Sequence, residues 1–170
     1  MSFATDSIRA ACTAQATFVT PLGGLLLART AQGLAGAWFD GQKDHPGPLA
    51  APERPHDPLL RTAADQLAAY FAGRVARFDL PLDLRGTEFQ RGVWQALLCI
   101  ASGRTCSYRD IALQVGSARA VRAVGAAVGK NPLSVIVPCH RVLGSDGALT
   151  GYAGGVDRKR ALLTLEGVGA

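Results

Sequence analysis

A cysteine followed directly by a histidine, Cys139-His140, ends an apolar run, and a carboxylate, Glu166, closes the last helical stretch of the chain. Thiolate is the nucleophile of cysteine chemistry. A thiol with an ordinary pKa near ~8.5 is mostly protonated at neutral pH, so a working cysteine needs a base or a positive field. His140 can be that base. Neighbours on an extended chain point to opposite sides, so contact between the two side chains requires a turn here or a bridging water. Glu166 closes the helix expected over 157–166, where the helix dipole disfavours an anion. A carboxylate there is better placed facing a cation or an N–H, and His140 is a candidate to be oriented by it. Between cysteine and helix, Gly151-Tyr152-Ala153-Gly154-Gly155 permits close backbone approach to a planar ligand. On its own, Cys-His is also the pattern of a structural thiol beside a surface histidine.

The elements that must hold these groups follow from local signals. Leu133–Val137 is short, apolar and rich in β-branched residues, and reads as a buried strand delivering Cys139 to a cleft. Upstream, Ser107 can cap a helix through Tyr108, Ile111, Ala112 and Val115. Gly116-Ser117 makes a turn, and a second helix runs over about 118–128, a helix-turn-helix pattern. Val121, Val124 and Val128 lie on its core side. The opposite face carries Arg119, Arg122, Ala123, Ala126 and Gly129, two cations amid small residues, which another polymer can approach closely; a solvated or helix-packing face would read the same way. Thr87-Glu88-Phe89-Gln90 is a capping box opening a helix with a buried stripe of Phe89, Val93, Leu97 and Ile100, flanked by Trp94 and Leu98. Cys99 is read as a core thiol at the end of that helix, and Cys106 as a turn residue without an evident role.

The first half reads differently. Residues 16–20 and 25–28 are strand-like around the turn Pro21-Leu22-Gly23-Gly24, and a further run ends in Trp38-Phe39. Residues 40–56 hold four prolines and form a loop, expected to be mobile. Asp57-Pro58 starts a helix that Gly73 ends, with Leu60, Ala64, Leu67 and Phe71 on one face. Residues 75–80 look strand-like. The expected division is 1–80, a connecting segment 81–86, and 87–170.

The chain of 170 residues is 48% hydrophobic, enough for a real core. It has no apolar run of the ~20 residues that span a bilayer and no secretion-type leader, so no membrane is expected as a partner. Four cysteines (Cys12, Cys99, Cys106, Cys139) are then best read as free thiols in a reducing, cytoplasmic setting. The net charge of +5 is confined to residues 87–170, which hold ten Lys and Arg against five Asp and Glu. That asymmetry suggests an anionic partner, nucleic acid first.

Pro138-Cys139-His140-Arg141-Val142, with Val121-Arg122-Ala123-Val124-Gly125 and Lys130-Asn131-Pro132, resembles the O6-alkylguanine-DNA alkyltransferase family. Ser107-Tyr108, Gly151 to Gly155 and Leu165-Glu166-Gly167 extend the likeness over 87–170. Over 14–86 it is looser, carried by Thr20-Pro21-Leu22-Gly23, the helix at 58–72 and Asp83 to Thr87. The ending, Gly154-Gly155 then Arg158-Lys159-Arg160, most resembles the bacterial constitutive type.

The resemblance implies an α+β fold, with a small ribonuclease H-like antiparallel-sheet domain before a mostly helical, winged-helix-like domain containing the helix-turn-helix. It implies irreversible transfer of the alkyl group from O6-alkylguanine, and O4-alkylthymine, in double-stranded DNA to Cys139 after base flipping. His140 would activate Cys139 through a water, oriented by Glu166. Tyr108 would assist the leaving purine, and Asn131 would join the recognition helix to the active-site segment. Arg122 would fill the vacated stack, while Ala123, Gly125 and Ala126 press into the minor groove and Arg119 and Lys130 meet phosphates. Tyr152, Ala153, Gly154 and the Val142 backbone would line the base pocket.

No cofactor is expected, and the free protein is expected to be a monomer. Some family members carry a structural zinc in the first domain; here only Cys12, His45 and His56 precede residue 87, without zinc-ligand spacing, so no metal is expected. Ile100-Ala101-Ser102-Gly103 lacks a proline common in the family, which affects only the turn. Two other readings stay open: a thiol hydrolase using Cys139, His140 and Glu166, and a lesion sensor that binds without transferring.

Overall fold

The computed structural model describes residues 2–169. Three strands, β1 (Ala14–Thr20), β2 (Gly23–Arg29) and β3 (Leu34–Phe39), form an antiparallel sheet in chain order. Thr20 pairs with Gly23 across the tight turn, and Gly23 takes φ +114°, a backbone conformation that a side chain would strain. Strand alternation sorts the apolar residues onto two faces. Leu25, Leu27, Leu34, Ala37 and Phe39 enter the main core, whereas Ala28, Ala35 and Trp38 meet Ile8 on the other face. Ile8 belongs to α1 (Phe3–Ala11), which the sequence reading did not anticipate although Ser2 caps it by accepting from Thr5 N. Both faces of β3 are therefore covered, and all six of its residues are buried.

Helix α2 (Pro58–Phe71) begins at Asp57, whose carboxylate accepts from Leu59 N and Leu60 N and pairs with Arg29 at 3.1 Å. Its buried face is Leu60, Ala63, Leu67 and Tyr70, rotated from the expected one so that Tyr70 points inward. Residues 75–80 form no strand; they run as irregular chain, mostly exposed. The proline-rich loop is tethered throughout. Gln15 Nε2 donates to Leu49 O (3.0 Å) and Ala51 O, Arg9 to Pro46 O, and Lys43 N to Ala153 O at 2.9 Å.

Helix α3 (Glu88–Leu98) carries the complete capping box of Thr87 and Gln90 and buries Val93, Trp94, Ala96 and Leu97. Trp94 Nε1 donates to Ala127 O at 2.8 Å, fixing α3 against α5. The expected stripe is narrower than predicted. Phe89 is 37% and Leu98 41% exposed, and Cys99, expected in the core, is an exposed C-cap. A short strand β4 (Cys106–Ser107) pairs in parallel with β5 (Val142–Leu143), so Cys106 belongs to a ladder beside the Cys-His segment. Helix α4 (Tyr108–Gln114), capped by Ser107 and Asp110, turns through Gly116 at φ +73° into α5 (Val121–Gly129). Val124, Ala127 and Val128 are its buried residues; Val121, expected inside, is 36% exposed because it opens the helix. Helix α6 (Val156–Leu165) follows, with Glu166 as C-cap. One contiguous core joins the sheet, α2, α3, α5 and α6. Among the described residues no helix is long and apolar enough to cross a membrane.

Candidate active site

The sheet builds the site's floor. Ala37 N donates to Pro132 O (2.8 Å) and accepts at its carbonyl from Ser134 N (2.9 Å), so the chain at 132–134 is clamped on the β3 edge. Beyond that single bridge the expected strand does not exist. Residues 134–136 are turns, with Val135 at φ +72°. A β-branched residue in the left-handed region is strained by about 1–3 kcal/mol, which full burial of residues 131–142 holds in place. The cause is Asn131. Its Oδ1 accepts from Leu133 N (2.9 Å) and its Nδ2 donates to Val137 O (2.8 Å), folding the apolar run around one amide. The same Nδ2 lies 3.1 Å from Cys139 Sγ.

Cys139 opens a 3-10 turn, Cys139–Arg141, and its residue is 6% exposed. Burial raises the thiol pKa, opposed by the Asn131 donor and the positive charge of Lys159. Lys159 itself is fully buried on α6, where its Nζ donates to Val142 O at 2.6 Å and Thr150 O at 2.9 Å. Burial lowers its pKa, and the neighbouring Cys139 works to restore it.

His140 is fully buried, and its Nε2 is 2.8 Å from Glu166 Oε1. That same oxygen accepts from Tyr70 OH (2.7 Å) and Arg141 Nη2 (2.7 Å), while Oε2 accepts from Arg141 Nε (2.9 Å). Burial pushes the Glu166 pKa up, yet the hydrogen bonds from His140 and Arg141 outweigh it and bring the carboxyl to about 2. Glu166 is therefore an anion at neutral pH. Burial lowers the His140 pKa, partly countered by Glu166, so the imidazole is neutral there. A neutral imidazole facing a carboxylate carries its proton on Nε2 and leaves a lone pair on Nδ1. Nδ1 is buried and meets no partner among the described residues. The turn at Cys139 does not produce a direct Cys–His bond; Sγ is engaged by Asn131 instead.

A cleft of about 590 Å³ opens next to this cluster. Tyr108, Arg122, Gly125, Ala126, Lys130, Tyr152 and Ala153 line it, together with Lys43 and Asp44 from the proline-rich loop. Tyr108 OH is 3.5 Å from Thr150 Oγ1 at its rim, and Gly125 passes under the Tyr108 ring. Gly154 is buried where a Cβ would stand 2.6 Å from the Tyr152 ring, so only glycine admits that ring position. Arg122, Ala123 and Ala126 are exposed on α5, and Arg119 is exposed in the turn before it. Lys130, at the end of α5, is paired with Asp44 at 2.9 Å.

The structure brings Cys139, His140, Glu166, Asn131 and the Val142 carbonyl into the buried cluster and Tyr108, Arg122, Gly125, Ala126, Lys130, Tyr152 and Ala153 onto the cleft; Gly154 packs against the Tyr152 ring, while Ala123 and Arg119 are exposed and do not line the cleft. Three buried members of the cluster were missed. Arg141 stood inside the quoted motif without a role. Tyr70 sat on an apolar helix. Lys159 stood in the quoted run Arg158-Lys159-Arg160 without a role, although its spacing of seven from Glu166 puts both on one helix face.

Two family models cover the chain: the ribonuclease-like domain of 6-O-methylguanine DNA methyltransferase over residues 14–84, and its DNA-binding domain over 88–168. A methylated-DNA–protein-cysteine methyltransferase of Mycobacterium tuberculosis is 59% identical over 119 residues, covering 68% of this chain and 72% of that one. That of Mycolicibacterium paratuberculosis is 49% identical over 150 residues, covering 88% and 90%. The crystal structure of Mycobacterium tuberculosis OGT in complex with DNA superposes with TM-score 0.84 at 48% identity, over 91% of this chain and 92% of that one. With sequence, fold and both halves in agreement, the chain belongs to the methylated-DNA–protein-cysteine methyltransferase family.

Proposed function

We propose that the protein repairs DNA by transferring the alkyl group of O6-alkylguanine, and of O4-alkylthymine, irreversibly to Cys139. The observation that carries this reading is the buried chain of groups Tyr70 and Arg141, Glu166, His140, ending in an unpartnered Nδ1 one residue from a buried thiol. A thiol whose pKa is raised by burial does not ionise unaided, so it needs the base that this arrangement supplies. His140 Nδ1 takes the thiol proton through a bridging water, and the imidazolium formed is stabilised by Glu166. Asn131 Nδ2 and Lys159 favour the thiolate at the same time.

Sulfur attacks the alkyl carbon, the S–C bond forms as the C–O6 bond breaks, and the electron pair leaves with the purine. Tyr108, on the cleft wall, donates a hydrogen bond or proton to that leaving group. O6 of a stacked guanine cannot present its alkyl carbon to a buried sulfur, so the nucleotide must leave the helix for the cleft. Arg122 fills the gap from the exposed face of α5, whose Ala123, Gly125 and Ala126 let the backbone approach the minor groove. Tyr152, Ala153, Gly154 and the Val142 carbonyl hold the base, and Arg119 and Lys130 meet phosphates. The thioether has no route back, so each molecule acts once and needs neither cofactor nor metal. We read the protein as a monomer working in the cytoplasm, a reducing compartment in which free cysteines persist.

The test is stoichiometry. Incubation with O6-methylguanine DNA should add one methyl mass to the peptide containing Cys139, and repair should stop at one equivalent. Multiple turnovers, or label on the exposed Cys99 or half-buried Cys106 instead, would exclude the assignment.

A further inference from the structure

The cleft is lined by the cations Lys43, Arg122 and Lys130 and by one acid, Asp44. An acid on a face that receives a polyanion is electrostatically misplaced unless it acts on something there. Asp44 is held firmly. It adopts φ +60°, a left-handed conformation that aspartate tolerates better than most residues. Directly before it Lys43 N is bonded to Ala153 O. One residue earlier, buried Gln42 accepts from Phe39 N (2.7 Å) and Ser134 Oγ (3.1 Å), anchoring this end of the loop to β3 and to the strained segment before Cys139. From this mount Asp44 Oδ1 reaches Lys130 Nζ at 2.9 Å across the cleft, the two side chains being 32% and 37% exposed. Lys130 caps α5, the helix whose exposed face bears Arg122.

We infer that Asp44 is a DNA-affinity determinant supplied by the first half of the chain: it neutralises Lys130 in the free protein and yields it to a backbone phosphate when a duplex docks. The inference rests on the reading that this cleft faces DNA. A half-exposed ion pair is held by only about 0.2–1 kcal/mol, so a phosphate with its charge-assisted hydrogen bonds can displace the carboxylate. The exchange keeps Lys130 in place for DNA while lowering the positive field that the free protein shows to other polyanions. It also gives the loop 40–56 a role beyond connection.

The experiment is a double-mutant cycle on undamaged duplex affinity, with Asp44→Asn, Lys130→Gln and both together, over a salt series. Breaking a pair of this strength corresponds to roughly a 1.4- to 5-fold change in Kd. Asp44→Asn should tighten binding by that factor, and the gain should vanish in the Lys130→Gln background. Lys130→Gln should lower the salt slope by about 0.9, the loss of one phosphate contact, and Asp44→Asn should leave the slope unchanged. Equal tightening in both backgrounds would mean plain repulsion, and an unchanged slope in Lys130→Gln would mean that the pair stays shut on DNA; either overturns the exchange. Weaker binding by Asp44→Asn overturns it as well. Wild-type protein that binds no duplex at all would instead refute the DNA-facing reading of the cleft.

Discussion

Replacing Glu166 by Gln tests the whole chain of activation. The carboxylate accepts four hydrogen bonds, and all the donating groups, His140, Tyr70 and both Arg141 nitrogens, are donors only in this arrangement. A glutamine amide offers one acceptor oxygen and places N–H groups where the other oxygen was, so at least one donor faces a donor. Two costs follow. Arg141, 6% exposed, loses its counter-charge, which destabilises the fold by about 3–5 kcal/mol. His140 loses a charged acceptor and keeps at best a neutral one, a difference of about 1–2 kcal/mol in holding the imidazolium. The second cost falls on the proton transfer from Cys139, so alkyl transfer slows by about 5- to 30-fold. The sign of the pH effect is fixed too. Glu166 raises the His140 pKa against burial, so its loss lowers that pKa further, and the acid limb of the rate profile, where His140 becomes protonated, moves to lower pH. The assay is the rate of Cys139 alkylation by a free-base pseudo-substrate as a function of pH, at a temperature where circular dichroism shows the variant folded. Duplex affinity is measured alongside and should be spared. A variant with the wild-type rate and an unshifted profile would show that Glu166 and His140 do not activate Cys139, and so would an unchanged profile in His140→Ala.

Arg122→Ala should slow repair of duplex DNA strongly and barely change reaction with the free base, because flipping costs a few kcal/mol that only the duplex requires; equal loss on both substrates would mean a pocket or folding defect. Stability should fall in acid in two stages. His140, held below its ordinary 6.5 by burial, favours the folded state above that pH and loses this contribution as pH falls below it. Glu166, shifted from 4.5 to about 2, contributes about 3 kcal/mol above pH 4.5 that disappears as pH falls toward 2. Urea midpoints measured against pH should show both limbs, and Glu166→Gln should lack the lower one; a flat wild-type profile would contradict the buried anion.

The parts of this molecule that the sequence discloses are those decided by local chemistry. Asp57-Pro58, Thr87 with Gln90, and Ser107 with Asp110 each satisfy backbone donors within one turn, and each starts a helix where expected. The exposed small-residue face of α5 was equally legible from spacing. What stayed hidden was decided by side-chain contacts that composition and periodicity do not encode. Leu133–Val137 has the composition of a strand, and only the position of the Asn131 amide turns it into a coil around one side chain. Tyr70 points inward because α2 is rotated to meet a carboxylate 96 residues away. Phe89, Leu98 and Cys99 lie outside the core because Trp94 fills the space between α3 and α5 that a wider stripe would occupy. Helix α1 is short and covers the far face of a sheet whose outer side was not assigned a cover.

The two halves of the chain are stitched together at the reactive centre itself. Tyr70 of α2 bonds Glu166, the β3 edge bonds Pro132 and Ser134, and Arg158 of α6 donates to Leu22 O and stacks on Phe39 at 4.6 Å. These bonds lie in one contiguous core, so denaturation should proceed as a single all-or-none event. A species that kept the sheet while freeing the Cys139 segment would have to break these bonds and that shared core. For a protein whose nucleophile is consumed by its first encounter, this cooperativity is a form of protection. A thiol exposed by local opening would react with whatever electrophile is at hand, and here the Tyr70–Glu166 bond that resists such opening belongs to the group of side chains proposed above to activate the cysteine.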